Sequence, residues 1–291
     1  MMLNTKFPVS TPLQNGRDCA LLVVSCDAYS DLWKPFFTLL DRNWPDCPYT
    51  VYLGSGSQSM PGVTALSSQG GRDWSRCMID YLMQLEQDYI LVMLDDFFLR
   101  RPVCTNSINA ALEFARRHDG TMVRLIPRPG PTSHIPGSIA IGECAAGMPY
   151  RLCLQASIWQ RSRLLSLLRP GESIWQFELN ANERSRALPF GFYCAWEPLL
   201  PYEGLLVHHV VEKGRWFAHE KWIFGRQDIG CDFSRRAVLP WKSTLVYHMA
   251  AVLERMLSFF QWQTKMQIKS MIKSLLMRNF SRTLVQLRTP E

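Results

Sequence analysis

Nine cysteines are scattered along the 291 residues with no C-x-x-C pair among them. Neither a zinc site nor a disulfide framework is indicated, and reduced thiols in a cytosol are the expectation. No apolar run approaches the roughly 18 residues of a membrane span. The N-terminus lacks the charged start and apolar segment of a secretory leader. Gly54-Ser55-Gly56 is without the third glycine of a dinucleotide loop, and Pro61 interrupts any helix behind it. No glycine-rich loop ends in Lys-Ser or Lys-Thr, and no G-x-S-x-G is present. Asp95 is followed by Asp96 and Phe97, which is not the spaced acid pair of a phosphatase. Internal repeats and low-complexity segments are also missing.

What is present is ordinary for a globular chain: 47% apolar and 20% charged residues. The net charge of +7 is unevenly placed, because residues 241–291 hold eight Lys and Arg against two acids. The body is nearly neutral, which argues against a nucleic-acid surface spread over it. The expected organisation is a loose arm over residues 1–17, a catalytic domain over 18–240 and a basic helical tail over 241–291.

The chain is organised around Tyr89-Ile90-Leu91-Val92-Met93-Leu94-Asp95-Asp96-Phe97-Phe98-Leu99. Six apolar or aromatic residues in a row suit a strand buried on both faces of a parallel sheet. Two carboxylates follow at its C-terminal end, where open α/β sheets bind ligands. Adjacent acids repel unless a cation or water separates them. The two readings are a divalent metal holding a diphosphate and a solvated turn; the phenylalanines that follow favour the metal.

Around this strand the pattern alternates. Strands are expected over Ala20–Asp27, Tyr49–Leu53, Met122–Ile126, Arg151–Ile158 and Leu205–Val211. Helices are expected from a Ser30 cap, from an Asp73 cap to about Gln87, over Ser107–Arg117, over Gln160–Leu168 and over Ser173–Asn182. Such alternation predicts an α/β fold with a mostly parallel central sheet flanked by helices. Residues 127–149, rich in Pro and Gly, read as a long loop that orders over a ligand.

Several segments carry a resemblance. Ser25-Cys26-Asp27, Trp44-Pro45-Asp46-Cys47-Pro48-Tyr49, Asp73-Trp74-Ser75, the Tyr89–Phe98 stretch, Leu154-Gln155-Ala156-Ser157-Ile158-Trp159 and Trp175-Gln176-Phe177-Glu178 look like bacterial GT-A-type glycosyltransferases of surface-polysaccharide synthesis. The resemblance covers roughly residues 18–240 and rests on the order of several short segments. The metal motif departs from the family pattern, being Leu-Asp-Asp and not a spaced D-x-D.

The resemblance implies a GT-A-like fold, a nucleotide-sugar donor, a glycan or lipid-linked acceptor, and Mg²⁺ or Mn²⁺. It places Asp27 on the nucleotide base or ribose, with a helix-capping acid as the alternative. Asp73 would touch nucleotide or sugar, or simply cap a helix. Asp96 and Asp95 would hold the metal on the diphosphate. An inverting transfer needs a base, and Glu178 is the candidate, set between Trp175 and Phe177 where apolar neighbours raise a carboxylate's pKa; an exposed acid on an amphipathic helix is the competing reading. His208 is a candidate third metal ligand or a core histidine. Lys213 and Arg215 are candidates to face the diphosphate, or lie in a solvated turn.

The tail has its own pattern. From Ser243 apolar residues recur at helical spacing, and Lys265, Lys269 and Lys273 then form a stripe beside Ile268, Met271, Ile272 and Leu275. A basic amphipathic helix suits an anionic bilayer, here the inner face of a membrane. Two rivals to the transferase remain open. One is a sugar nucleotidyltransferase, which would want a glycine-rich phosphate loop after the first strand. The other is a non-catalytic membrane-associated adaptor that keeps the fold.

Overall fold

The computed structural model describes residues 16–188, 190–202 and 208–257. The described residues divide into two compact units, one within residues 16–238 and one within residues 239–257. In chain order the first unit contains β1 (Gly16–Val24), a 3-10 turn over Asp27–Tyr29, α1 (Ser30–Asn43), β2 (Tyr49–Ser55), β3 (Thr64–Ser67), α2 (Trp74–Met83) and β4 (Tyr89–Leu94). It continues with α3 (Thr105–Arg117), β5 (Gly120–Arg124), β6 (Ser133–Ile135), β7 (Ser138–Glu143), β8 (Ser157–Gln160), α4 (Arg161–Leu167) and α5 (Ile174–Arg184). A second 3-10 turn (Ser185–Ala187), β9 (Gly191–Ala195), β10 (Val211–Glu212), β11 (Arg215–Trp216) and α6 (Ala218–Phe224) complete it. Within the second unit the described helix is α7 (Trp241–Leu257).

Nine strands form one sheet in the order β3-β2-β1-β4-β8-β5-β9-β7-β6. The first four are mutually parallel, as is the β5–β9 pair. β8 runs antiparallel between β4 and β5, and the β6–β7 edge is antiparallel. The sheet is therefore mixed: the expected parallel arrangement holds for its first half. Alternation along the strands sorts the core. Cys19, Leu21, Val23, Leu91 and Met93 face one layer with α1 and α3. Ala20, Leu22, Val24, Ile90 and Val92 face the other with α2, α4 and α5. Both faces are covered, which is why β1 and β4 read as unbroken apolar runs. Each fully buried Leu, Ile or Val contributes about 1.5–3 kcal/mol, so the site at the strand ends stands on the most deeply packed part of the molecule.

Local chemistry sets the helix ends. Asp73 accepts from the Arg76 amide at 3.0 Å and caps α2, while Ser173 and Gln176 form a reciprocal capping box on α5. The helix expected from a Ser30 cap starts one residue earlier, with Tyr29 at the cap position and no side-chain cap bond. α2 stops at Met83, short of the expected Gln87, because the Gln84 side chain turns back to the Asp80 and Ser67 carbonyls.

Several expectations differ from the structure. Residues 127–149 are not a featureless loop: they carry β6 and β7 on the edge of the main sheet. β6 has only three residues, and in β7 the run Ile139-Ala140-Ile141 does not alternate apolar with polar. Arg124, fully buried, pins the segment at both ends by donating to the Pro129 carbonyl at 2.6 Å and the Tyr150 carbonyl at 2.9 Å. The strand expected over Arg151–Ile158 begins only at Ser157. Of the one expected over Leu205–Val211, residues 205–207 lie outside the described part, and Val211 is in a two-residue strand. Gly16 and Arg17 open β1 and so do not belong to an arm; the rest of the expected arm, and the basic stripe from Lys265 onward, lie outside the described residues.

Candidate functional site

β1 and β4 are adjacent and parallel with Val24 opposite Leu94, so the residues after each strand meet at one edge of the sheet. There Asp95 is buried and Asp96 half-buried. The Ser25 hydroxyl donates to Asp95 Oδ2, and the Trp33 indole Nε1 donates to Ser25 Oγ at 2.6 Å. Burial lifts the Asp95 pKa well above the usual carboxylate range, and the Asp96 charge adds to the rise. Burial also pushes Asp96 up to about 6, against the attraction of His209.

The opposite wall comes from far along the chain. The Val210 amide donates to the Asp96 carbonyl at 2.8 Å, which seats the 208–212 segment against the acid turn. His209 Nε2 lies 2.9 Å from Glu212 Oε2. Burial disfavours its protonation, but the Glu212 bond and the Asp96 charge outweigh this and raise its pKa. Arg236 makes a fork to Asp31, with both contacts at 2.7 Å, donates to the Ala28 carbonyl at 2.7 Å and stacks on the Tyr29 ring at 4.1 Å. Its charge is felt at both Asp95 and Asp96. β10 and β11 form a tight hairpin in which Lys213 and Gly214 both take positive φ (48° and 74°), as a type I′ turn requires. Lys213 and Arg215 are exposed on it, and the Gly214 carbonyl meets Arg236 at 3.5 Å.

Other candidates have structural engagements. Asp27 accepts four bonds, from the Gly56 and Gln58 amides on Oδ1 and from the Ser57 amide and hydroxyl on Oδ2. These outweigh a small burial effect and lower its pKa. A carboxylate has about four acceptor positions, so this one is saturated by the loop after β2 and caps no helix. Asp73 joins its α2 cap to the Gly171 amide at 2.7 Å. Glu178 Oε1 accepts from the Leu154 amide at 2.7 Å. Leu154 precedes β8, whose Ser157 lies opposite Val92 of β4, so Glu178 sits at the same sheet edge as the acid pair. Burial raises its pKa against that bond and the Cys153 thiol.

His208 does not join the acids. Burial and the nearby charges of Arg128, His209 and Arg100 pull its pKa down to about 3, and neither ring nitrogen has a hydrogen-bond partner among the described residues. The ring is therefore held neutral, which is the form of a buried core histidine and also the form in which imidazole ligates a metal. Among the described residues no group of three or more His, Cys, Asp or Glu is placed to hold a metal ion. The available donor set is a carboxylate pair, which suits Mg²⁺ or Mn²⁺ shared with substrate phosphates and not a closed protein cage.

No family model and no curated protein matches the chain. Among solved structures it is similar to S. aureus TarS 1-349, at 12% identity over 61% of this chain and 60% of that one, with a TM-score of 0.40. The same protein in complex with UDP-GlcNAc gives 13% identity over 66% and 60%, with a TM-score of 0.39. A CMP:2-keto-3-deoxy-manno-octonic acid synthetase complexed with CTP gives 10% identity over 66% and 93%, with a TM-score of 0.35. The chain thus spans about 60% of the TarS 1-349 structures it matches. Sequence reasoning weighed His209 beside His208 as a possible metal or phosphate ligand, and missed Ser25, Trp33, Glu212 and Arg236. Only Ser25 had a visible signal, its place after an apolar strand.

Proposed function

We propose that this protein is a GT-A-like glycosyltransferase that moves a sugar from a nucleoside diphosphate donor to a glycan or lipid-linked acceptor, with inversion. The observation that carries the reading is the Asp95–Asp96 pair at the end of the central parallel strand, held where burial disfavours its charge. Such a pair is stabilised by a cation, and a diphosphate supplies that cation's remaining ligands. Asp96, with Asp95, would hold Mg²⁺ or Mn²⁺, which when bound neutralises charge on the leaving diphosphate. Lys213 and Arg215, exposed on the hairpin that adjoins Arg236, are the cations proposed to meet the phosphates. The direct test is thermal melting with a panel of nucleotide sugars, each with and without Mn²⁺. A donor at a hundred times its Kd stabilises the native chain by about 2.7 kcal/mol. No shift with any donor overturns the proposal.

Glu178 is the proposed base for the acceptor hydroxyl. Burial raises its pKa above the ordinary glutamate value, which makes it a stronger base. Glu178→Gln keeps an oxygen for the Leu154 amide, so the fold is retained. Turnover is expected to fall about 10²-fold with donor affinity little changed. Collapse of donor binding, or a product of retained configuration, would remove the base assignment.

The tail is proposed to hold the enzyme on the inner, anionic face of a membrane, where a lipid-linked acceptor would be presented. No described helix is long and apolar enough to cross a membrane. Each Lys or Arg close to an anionic surface adds about 1 kcal/mol. The full chain is therefore expected to co-sediment with phosphatidylserine vesicles in low salt and to be released by high salt. A chain ending at Gln261 should remain in solution; equal retention of both overturns the tether.

A further inference from the structure

The Asp95 carboxylate is reached by a chain of two hydrogen bonds that begins in the core. Trp33 is buried on the inner face of α1, and its indole nitrogen can only donate. Ser25 Oγ therefore accepts at 2.6 Å from Trp33 Nε1 and has one proton left to give. Two acceptors are near it: the Cys26 carbonyl at 3.3 Å and Asp95 Oδ2, which is closer. A carboxylate is also the stronger acceptor, so the order of donation is indole to hydroxyl to carboxylate. The Ser25 backbone is fixed as well, its amide donating to the Gly54 carbonyl at 2.9 Å. Packing thus sets the ring, the ring sets the hydroxyl, and the hydroxyl sets one oxygen of Asp95.

We propose that Trp33 and Ser25 are positioning residues that hold Asp95 by Oδ2 and so leave Oδ1, with the Asp96 carboxylate, for a divalent cation on the donor diphosphate. This rests on the glycosyltransferase reading only in requiring that the acid pair bind a cation. Partners that orient ligating carboxylates matter energetically, because a ligand free to rotate must be ordered again on each binding event.

The test measures Mn²⁺ affinity of the full chain by loss of the free-ion EPR signal, beside thermal melting of each variant. Ser25→Ala is expected to weaken Mn²⁺ about 10–100-fold. Ser25→Thr, which keeps the hydroxyl, should restore affinity to within about threefold of wild type. Trp33→Phe keeps an aromatic ring in the core but removes the N–H, and should weaken Mn²⁺ by an intermediate factor. Asp95→Asn is the reference for a lost ligand. If wild type binds Mn²⁺ and Asp95→Asn does not, while Ser25→Ala and Trp33→Phe bind as wild type, the positioning role is wrong and the metal reading stands. If Thr fails to restore what Ala removes although both melt as wild type does, the hydroxyl is not the agent and the proposal falls. If wild type shows no saturable Mn²⁺ binding, the metal reading fails and takes the positioning role with it.

Discussion

Asp96→Asn is expected to abolish sugar transfer and, at neutral pH, to raise the melting temperature of the metal-free protein. The loss follows from removing a charge proposed to hold a cation on the donor diphosphate. If the cation supplies about 3–4 kcal/mol of transition-state stabilisation, turnover falls roughly 10²–10³-fold. The gain in stability follows from linkage. An unfolded Asp titrates near about 3.9, whereas burial holds Asp96 in the folded chain at about 6. The folded state thus keeps the proton more tightly. The stability this contributes is fully present below the unfolded value and is lost as pH rises through 6. Asn mimics the protonated acid at every pH, so its advantage over wild type should be absent near pH 4 and full above pH 7. Mn²⁺ should erase that advantage by stabilising wild type alone. The check is melting of both proteins across pH 4 to 8, with and without Mn²⁺, beside turnover. A variant with wild-type turnover, or a melting difference independent of pH, refutes the role given to Asp96.

How far the molecule could be read beforehand divides along the sheet. β1 and β4 were legible because strands covered on both faces carry unbroken apolar runs, and β2 and β5 because a short, mostly apolar run marks each. α2 and α5 were legible because Asp73 and Ser173 are strong caps. β3, β6, β7 and β9 were not read. β3 and β6 lie on the two edges of the sheet, and β6 has only three residues; neither length nor alternation marks such strands. β9 is interior, but its five residues begin with Gly191, against which the Tyr193 ring packs. The antiparallel insertion of β8 between β4 and β5 was equally hidden, because direction in a sheet is a long-range property. At the site the acid pair was visible as two charges after an apolar run. Its neighbours were not, since Ser25 is 70 residues from Asp95 and Arg236 is 205 residues from Asp31. Asp27 shows the reverse: an acid after a strand suggests a ligand, yet its oxygens are filled by the turn at 56–58. Local sequence offered no means of telling these two acids apart.

Arg236→Ala is expected to be the most destabilising single change among the charged residues around the site. The Arg236 and Asp31 side chains are only 7% and 2% exposed. The guanidinium makes a fork to both carboxylate oxygens and a further bond to the Ala28 carbonyl. Truncating it leaves Asp31 charged, buried and unpaired, which costs about 3–5 kcal/mol. For a chain of this size that lowers the melting temperature by about 10 °C. Lys at this position restores a charge but not the planar fork or the stack on Tyr29, so Arg236→Lys should recover only part of the loss. Replacing both partners removes the unpaired charge altogether. The double variant Asp31→Leu, Arg236→Met is therefore expected to melt well above Arg236→Ala alone. With Arg236 alone gone, a positive charge that favours ionised Asp95 and Asp96 is lost, so both carboxylates should ionise at higher pH in Arg236→Ala than in wild type. A double variant that melts no higher than Arg236→Ala contradicts the buried-pair account.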